Sequence, residues 1–293
     1  MNQKDFIKQC HSKRQNVSPP VALQEGMCAP GVDSVSSCYS KDQLLQIVKA
    51  YNVSHVDKID GRGSKKELWD RISQKMISRC NGENVQTCLL KQNFINGELL
   101  NEFQQKVFKP KAPKGQRAWL STSDIFAVLK QYEYTYPEFA FLGTVPMDFC
   151  TITPNGGVCG VNLKIAYSKG KHKLGAVFNT DPSHKPGQHW VSMFIDLDIK
   201  EIAYYDSFGK IPLTPEIIHL IDALRQQEKT IPGPPFKVRV NTCRHQQMNT
   251  ECGVYSINFI VERLLGKSWE KIMDEQLLDS QINARRKYFF RPS

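Results

Sequence analysis

Two β-rich runs around a short polar stretch constrain this chain more than any other feature. Gln188–Ile195 and Glu201–Asp206 each read as a strand, and residues 196–200 (Asp-Leu-Asp-Ile-Lys) read as the turn between them. The spacing predicts an antiparallel hairpin centred near residues 197–198, in which opposite partners have numbers summing to about 395. His189 and Asp206 meet that sum. Directly opposite residues share a face, with Cβ atoms about 4.5–5.5 Å apart. Folding the hairpin therefore brings a carboxylate to the imidazole, where it can orient the ring and stabilise its cation. His172, His184 and His219 lack a partner at a matching position and read as structural or surface residues. His245, near Cys252 in sequence, is the rival base, but it ends a strand pattern with no evident acid beside it.

Cys252 stands directly before an apolar helical pattern. Ile257, Ile260, Val261 and Leu264 form one face, and Gly266 suits the residue that ends a helix. A helix N-terminus and an adjacent imidazolium both favour a thiolate. Gly253 leaves room for a substrate carbonyl, and the Cys252 N–H would be one oxyanion donor. Gln246, six residues upstream, is placed to be the other, because an amide donates without needing protonation. Thiol, imidazole, carboxylate and amide are what cysteine acyl transfer requires.

With 293 residues, 40% of them hydrophobic, the chain can hold a catalytic domain of about 170 residues plus a smaller module. No apolar run approaches the roughly 20 residues of a membrane span, and Met1–Asp5 starts no secretory signal. A cytosolic or nuclear location without membrane insertion is expected. The nine cysteines include no Cys-x-x-Cys pair. Cys28, Cys38, Cys80 and Cys88 bracket one segment and would suit a metal site or two disulfides. In a reducing compartment, free buried thiols are the plainer expectation. No metal or cofactor is expected.

Residues 1–117 carry 19 Lys/Arg against 11 Asp/Glu, and the remainder carries 20 against 18. The front of the chain is therefore the basic part, which suits nucleic acid or an acidic assembly partner. Residues 1–38 read as a loose arm and 39–105 as a small helical module, with S-x-x-Q/E capping boxes at Ser40/Gln43 and Ser64/Glu67. Helix, glycine-bearing loop and second helix resemble a SAP-type DNA-binding hairpin. Arg62, Lys65 and Lys66 would then contact phosphates, and the alternative is a docking module that braces the enzyme. Residues 106–117 read as a basic Pro/Gly linker and 118–293 as the catalytic domain. Within it a helix carries Ile125, Val128, Leu129 and Tyr132. Strand patterns follow at 144–147, 173–178, 190–195, 202–205 and 236–240, and helical ones at 214–227, 253–266 and 269–279. Gly156-Gly157 reads as a turn. The layout is α+β.

His189-Trp190, then Tyr205-Asp206-Ser207, then Gln246-x5-Cys252-Gly253, resembles the SUMO-protease-like cysteine peptidases (the adenain clan). Within them it is closest to the polyprotein proteases of large cytoplasmic DNA viruses such as African swine fever virus. Asn179-Thr180-Asp181 and Arg244-His245-Gln246 add to that likeness, as does a helical arm domain in front. The resemblance implies a papain-like core of the SUMO-protease type, a central mixed sheet with helices plus a small helical N-terminal arm domain. It implies His189, Asp206 and Cys252 as the triad and Gln246 as the oxyanion residue. Trp119-Leu120-Ser121 resembles the Trp-Leu-Asn-Asp entry segment of SUMO proteases, with Ser121-Thr122 in place of the polar pair. Trp119 and Trp190 would then clamp a thin Gly-Gly tail, with Asn179 and Gly253 also on the substrate side.

The implied function is a cysteine endopeptidase that cuts viral structural precursors after Gly-Gly during virion maturation. It would work at assembly sites in the host cytoplasm and be packaged in the virion. Its partners would be a viral polyprotein or core precursor and, through the basic module, DNA. The alternatives are a protease removing host ubiquitin-like modifiers and a DNA-binding structural protein with an inert protease fold.

Overall fold

The computed structural model describes residues 13–14, 18–20, 23–212 and 214–292. It divides into two compact units. One comprises Glu25–Lys111 with Phe289–Pro292, and the other Ala112–Tyr288 with the described residues before Glu25.

In the helical unit, Lys41–Ser54 (α1) and Lys65–Cys80 (α2) start at capping boxes. Ser40 and Ser64 each accept a backbone N–H, from Gln43 and Glu67, whose side chains reach back to the cap. The stripes Leu44, Ile47 and Tyr51 on α1 and Leu68, Ile72 and Met76 on α2 are buried. They share a core with Tyr39, Phe108 and Phe103, the last from Gly97–Lys106 (α3). Tyr39 meets the two phenylalanines edge-on, at centroid distances of 5.0 and 5.3 Å. Asn52 fixes the loop between α1 and α2 by exchanging two hydrogen bonds with the backbone of Ile59.

The unit is larger than residues 39–105. Residues 25–38 belong to it because Lys109 N–H donates to Met27 O and Ala29 N–H to Val107 O. Val107 and Phe108, expected in a linker, are therefore core residues. The C-terminal residues return to the same unit, where Arg291 N–H donates to Pro110 O at 2.9 Å.

The cysteines correct the expectation of free thiols. Cys28–Cys38, Cys80–Cys88 and Cys150–Cys159 are disulfides, and Cys243 is disulfide-bonded as well. This also removes the four N-terminal cysteines as metal ligands. Among the described residues no cluster of three or more His, Cys, Asp or Glu is arranged to hold a metal, and no helix is long and apolar enough to cross a membrane.

The second unit opens with Thr122–Thr135 (α4), which starts at a further capping box of Ser121 with Asp124. Its sheet is mixed and follows chain order: Phe139–Val145 (β1), Lys173–Asn179 (β2), Trp190–Asp196 (β3), Glu201–Tyr205 (β4) and Lys237–Val240 (β5). β1–β2 and β4–β5 are parallel, and β2–β3 and β3–β4 antiparallel. β1 starts earlier than the pattern at 144–147 suggested, with Phe139 and Phe141 buried in it.

Val191, Met193 and Ile195 of β3 pack with Pro215–Gln226 (α5) through Ile217, Ile221 and Leu224. Side chains alternate along a strand, so the other face is left for Cys252–Leu264 (α6). Tyr205 stacks on Phe259 there at 4.7 Å. Every residue of α6 is buried, which marks it as the core helix. It ends in a Schellman motif at Gly266 (φ 86°), with Lys267 N–H on Glu262 O and Gly266 N–H on Arg263 O. Trp269–Asp274 (α7) is shorter than the pattern at 269–279, because Glu275–Gln276 is extended and pairs with Lys13–Arg14. Gly156-Gly157 lies in a turn inside the loop closed by Cys150–Cys159.

Candidate active site

The hairpin forms, but in a different register. Ser192 faces Tyr205 and Asp196 faces Glu201, so partner numbers sum to 397. The turn is Leu197–Lys200. Lys200 closes it in the left-handed region (φ 52°), and its buried Nζ donates to Glu228 O and Ile231 O. A shift of two residues preserves which face each side chain occupies, whereas a shift of one would reverse it. His189 and Asp206 therefore still meet, as diagonal neighbours just beyond the paired strand ends. His189 Nε2 donates to Asp206 Oδ1 at 2.7 Å.

Asp206 is almost wholly buried, and its Oδ1 also accepts the Phe208 N–H at 2.8 Å. Phe208 stacks on the His189 ring at 4.6 Å. His189 Nδ1 is buried without a conventional hydrogen-bond partner. Burial opposes charge on the ring, but the Asp206 hydrogen bond and the neighbouring Cys252 outweigh it, pushing the pKa up to about 9. At neutral pH the ring is thus a cation.

Cys252 is the one free cysteine among the described residues, buried as the first residue of the 13-residue α6. Partial positive charge from unpaired N–H groups at that helix end and the imidazolium both act on the sulfur. Gln246 is fully buried: Oε1 accepts from Ser207 Oγ at 2.6 Å and Nε2 donates to Met248 O at 2.5 Å. One amide N–H remains for another acceptor.

The residues expected on the substrate side divide. Trp119 is half exposed and lines a 460 Å³ cavity with His189, Asp206, Phe208, Met147 and Lys210. Trp190 is buried outside that lining, its indole N–H donating to Leu120 O at 2.9 Å. It supports the Trp119–Leu120 segment. Gly253 is pressed against Leu120, so that a Cβ there would lie 3.0 Å from the leucine's own. Asn179 turns inward, with Oδ1 accepting the Asp181 N–H and its amide against Gly187 (φ 89°). It therefore shapes the loop that delivers His189.

Arg62, Lys65 and Lys66 belong to the helical unit, where Arg62 pairs with Asp60 and Lys65 with Asp33. His172 has a carboxylate partner after all: its Nδ1 lies 2.6 Å from Asp198 Oδ1. That pair is partly exposed and spans the foot of the hairpin, where Asp198 lies in the turn. His245 is buried on the Tyr205 hydroxyl (2.9 Å), and burial lowers its pKa to about 4, leaving it neutral.

Sequence reasoning missed Ser207, Phe208 and Leu120 as parts of the site. Ser207 and Leu120 adjoin Asp206 and Trp119, and Phe208 lies two residues past Asp206; that proximity was the available signal. It also missed Glu251, fully buried beside Cys252, with Oε2 accepting from Thr250 Oγ1 and Arg117 Nε 3.9 Å from Oε1.

Residues 171–291 match the Ulp1 protease family, C-terminal catalytic domain. A protein of Acanthamoeba polyphaga mimivirus named as a thiol protease is 31% identical over 275 residues, which are 87% of this chain and 89% of that protein. African swine fever virus proteins named cysteine protease or SUMO-1 cysteine protease are 26% identical over 262 residues, covering 83% of this chain and 94% of theirs. The crystal structure of the African swine fever virus protease superposes with a TM-score of 0.66 at 23% identity, covering 94% of this chain and all of that one. It shares this fold.

Proposed function

This chain belongs to the Ulp1 family of cysteine proteases, and we propose that it is an endopeptidase that cuts viral structural precursors after Gly-Gly during virion maturation. The observation that carries the reading is the likeness to proteins of two viruses over nearly their whole length, front unit included. A catalytic domain shared with the family's other members would match only the back of the chain. On this reading the enzyme works at assembly sites in the host cytoplasm and enters the virion, and the helical unit engages the precursor or DNA.

The proposed cycle uses the site as described. His189 holds the Cys252 thiolate as an ion pair, with Asp206 fixing the ring through Nε2. The thiolate adds to the glycyl carbonyl, and the Cys252 N–H and the remaining Gln246 N–H receive the oxyanion. The C–N bond then breaks as His189 Nδ1–H protonates the leaving amine, leaving a thioester. Neutral His189 next takes a proton from water, hydroxide adds to the thioester carbonyl, and the thiolate departs. Leu120 pressed against Gly253, with Trp119 lining the cavity beside His189, supports a preference for residues without side chains before the scissile bond.

A second reading, removal of host ubiquitin-like modifiers, is favoured by the name SUMO-1 cysteine protease carried by the African swine fever virus relatives. Profiling cleavage on a peptide library beside ubiquitin and SUMO probes separates the two. Gly-Gly-x peptides should be cut, and replacing either glycine by alanine should reduce kcat/KM by about tenfold or more. Efficient cleavage after Ala-Ala would overturn the specificity, and probe labelling faster than peptide cleavage would favour the second reading.

A further inference from the structure

We infer that Ser207 is a positioning residue for the oxyanion donor, fixing which end of the Gln246 amide faces the substrate. The inference rests on the reading of Gln246 as that donor. A carboxamide is nearly symmetric in shape but opposite in chemistry at its two ends, so a buried one must be told which way to point. Met248 O can only accept, and it lies 2.5 Å from one end of the Gln246 amide, which is therefore the nitrogen. The other end is the oxygen, and Ser207 Oγ, 2.6 Å away, must be donating to it. The two contacts together leave one N–H of the amide uncommitted. Reversing the amide would set oxygen against the Met248 carbonyl and present an acceptor to the developing oxyanion. Donation into Oε1 also polarises the amide and strengthens its N–H groups as donors.

Ser207 is itself held firmly. It is 1% exposed, so water has no access to replace its hydroxyl. Its carbonyl accepts both the His245 and the Gln246 N–H, at 2.9 and 2.8 Å, which binds the segment after β4 to the segment carrying the amide. Its neighbours serve the imidazole, Asp206 through Nε2 and Phe208 through the ring face. Three consecutive residues thus place the base and the oxyanion donor from one rigid strand end. Loss of the Ser207 hydroxyl would leave Gln246 Oε1 buried with no donor and the side chain free to turn.

The test compares Ser207→Ala in the native chain and in a Gln246→Ala background. Turnover is read on whichever peptide the unmodified enzyme cuts best, so failure of the Gly-Gly reading shows in that enzyme and not in the comparison. In the native background Ser207→Ala should lower kcat by about tenfold, with KM within about twofold. Inactivation of Cys252 by iodoacetamide, which forms no oxyanion, should stay within about twofold. In the Gln246→Ala background the further loss should shrink below about twofold. Ser207→Cys, similar in size with a weaker donor, should fall between, and it carries the same comparison if Ser207→Ala does not fold. Full kcat in Ser207→Ala would overturn the inference. So would an undiminished loss without Gln246, or an alkylation rate that falls in step with kcat, which mark a merely structural role.

Discussion

In the helical unit charged side chains meet at the surface: Arg62 with Asp60, Lys75 with Asp57 and Lys91 with Glu83. In the protease unit they meet in the interior, where Glu201 binds Arg263 and Arg239, and Glu262 binds Arg285 and Lys267. Exposed pairs are screened by water and add little, so the helical unit relies on its aromatic core and two disulfides. A buried pair adds little net stability, yet losing one partner destabilises by about 3–5 kcal/mol, which makes its geometry hard to disturb. Glu262 and Arg263 sit at the end of α6 opposite Cys252. The helix that carries the nucleophile is therefore anchored at its far end by charges that cannot easily move. The protease unit thus holds chemistry inside a fixed polar frame, and the helical unit offers a surface.

The largest test of that division is Cys252→Ala. It should reduce peptide cleavage by at least about 10⁴-fold and leave both units folded, since alanine fits the first turn of α6 without a thiol. A single-turnover assay and a thermal melt read the two halves, and retained cleavage would place the chemistry elsewhere. His189→Ala should be nearly as damaging, Gln246→Ala should lower kcat by about 10²–10³, and Asp206→Asn should be milder than His189→Ala.

The pH dependence sharpens this. An unfolded histidine titrates near 6.5 and His189 near 9, so the fold favours the charged ring. Its stabilisation is complete below pH 6.5 and is lost as pH rises through about 9. Activity that depends on the imidazolium–thiolate pair should fall on the same alkaline limb. In Asp206→Asn that limb should move to lower pH, because an amide orients the ring but cannot match its charge. An unmoved limb would assign the raised pKa to something other than Asp206.

The contrast between units also explains what was legible in the sequence. The His189–Asp206 contact was readable because strand periodicity is two: the register came out shifted, yet by an even number, and the face survived. Capping boxes at Ser40 and Ser64 were readable because they depend on residues three apart. The orientations of Trp190 and Asn179 were not readable, because a motif gives position along the chain but not which way an indole or amide turns. The disulfides were hidden for a different reason. Their pairing depends on three-dimensional proximity, and the inferred reducing compartment argued against them. Formation of these bonds at a cytoplasmic assembly site would need oxidation there or in the virion.

A smaller effect should separate the units on reduction. The three disulfides with both ends among the described residues span 10, 8 and 9 residues, and each closed loop of that size is worth about 2.5 kcal/mol in the chain-entropy picture. Two of these lie in the small helical unit and one in the protease unit, which also holds the bond of Cys243. Dithiothreitol should therefore release backbone amides to hydrogen exchange in residues 25–111 before it does so along α6 and β3. Equal loss of protection in both units would show that the helical unit's core suffices without its bridges.

The smallest expected effect concerns charge on the helical unit. Arg62 donates to both oxygens of Asp60, and Lys65 Nζ to Asp33 through its backbone carbonyl and carboxylate. Hydrogen bonds hold both acids below the usual carboxylate range: the Arg62 side chain acts on Asp60, and the Val35 N–H, then Lys65, act on Asp33. The acids stay ionised, and the two cations stay matched. Lys66 is exposed and outside any ion pair found among the described residues. Of the three residues expected to touch phosphate, it alone brings unmatched charge. Fluorescence anisotropy with duplex DNA at several salt concentrations should show weak, sequence-independent binding. Lys66→Ala should flatten the dependence of log K on log salt by about one unit, and Arg62→Ala or Lys65→Ala by less. Asp60→Asn with Asp33→Asn should strengthen binding by freeing both partners. If Arg62→Ala costs as much as Lys66→Ala, the ion pairs open when DNA binds. If no DNA binds at any salt, the unit is a docking arm for the precursor, and Lys66→Ala should then slow cleavage of the whole precursor while leaving a short peptide unaffected.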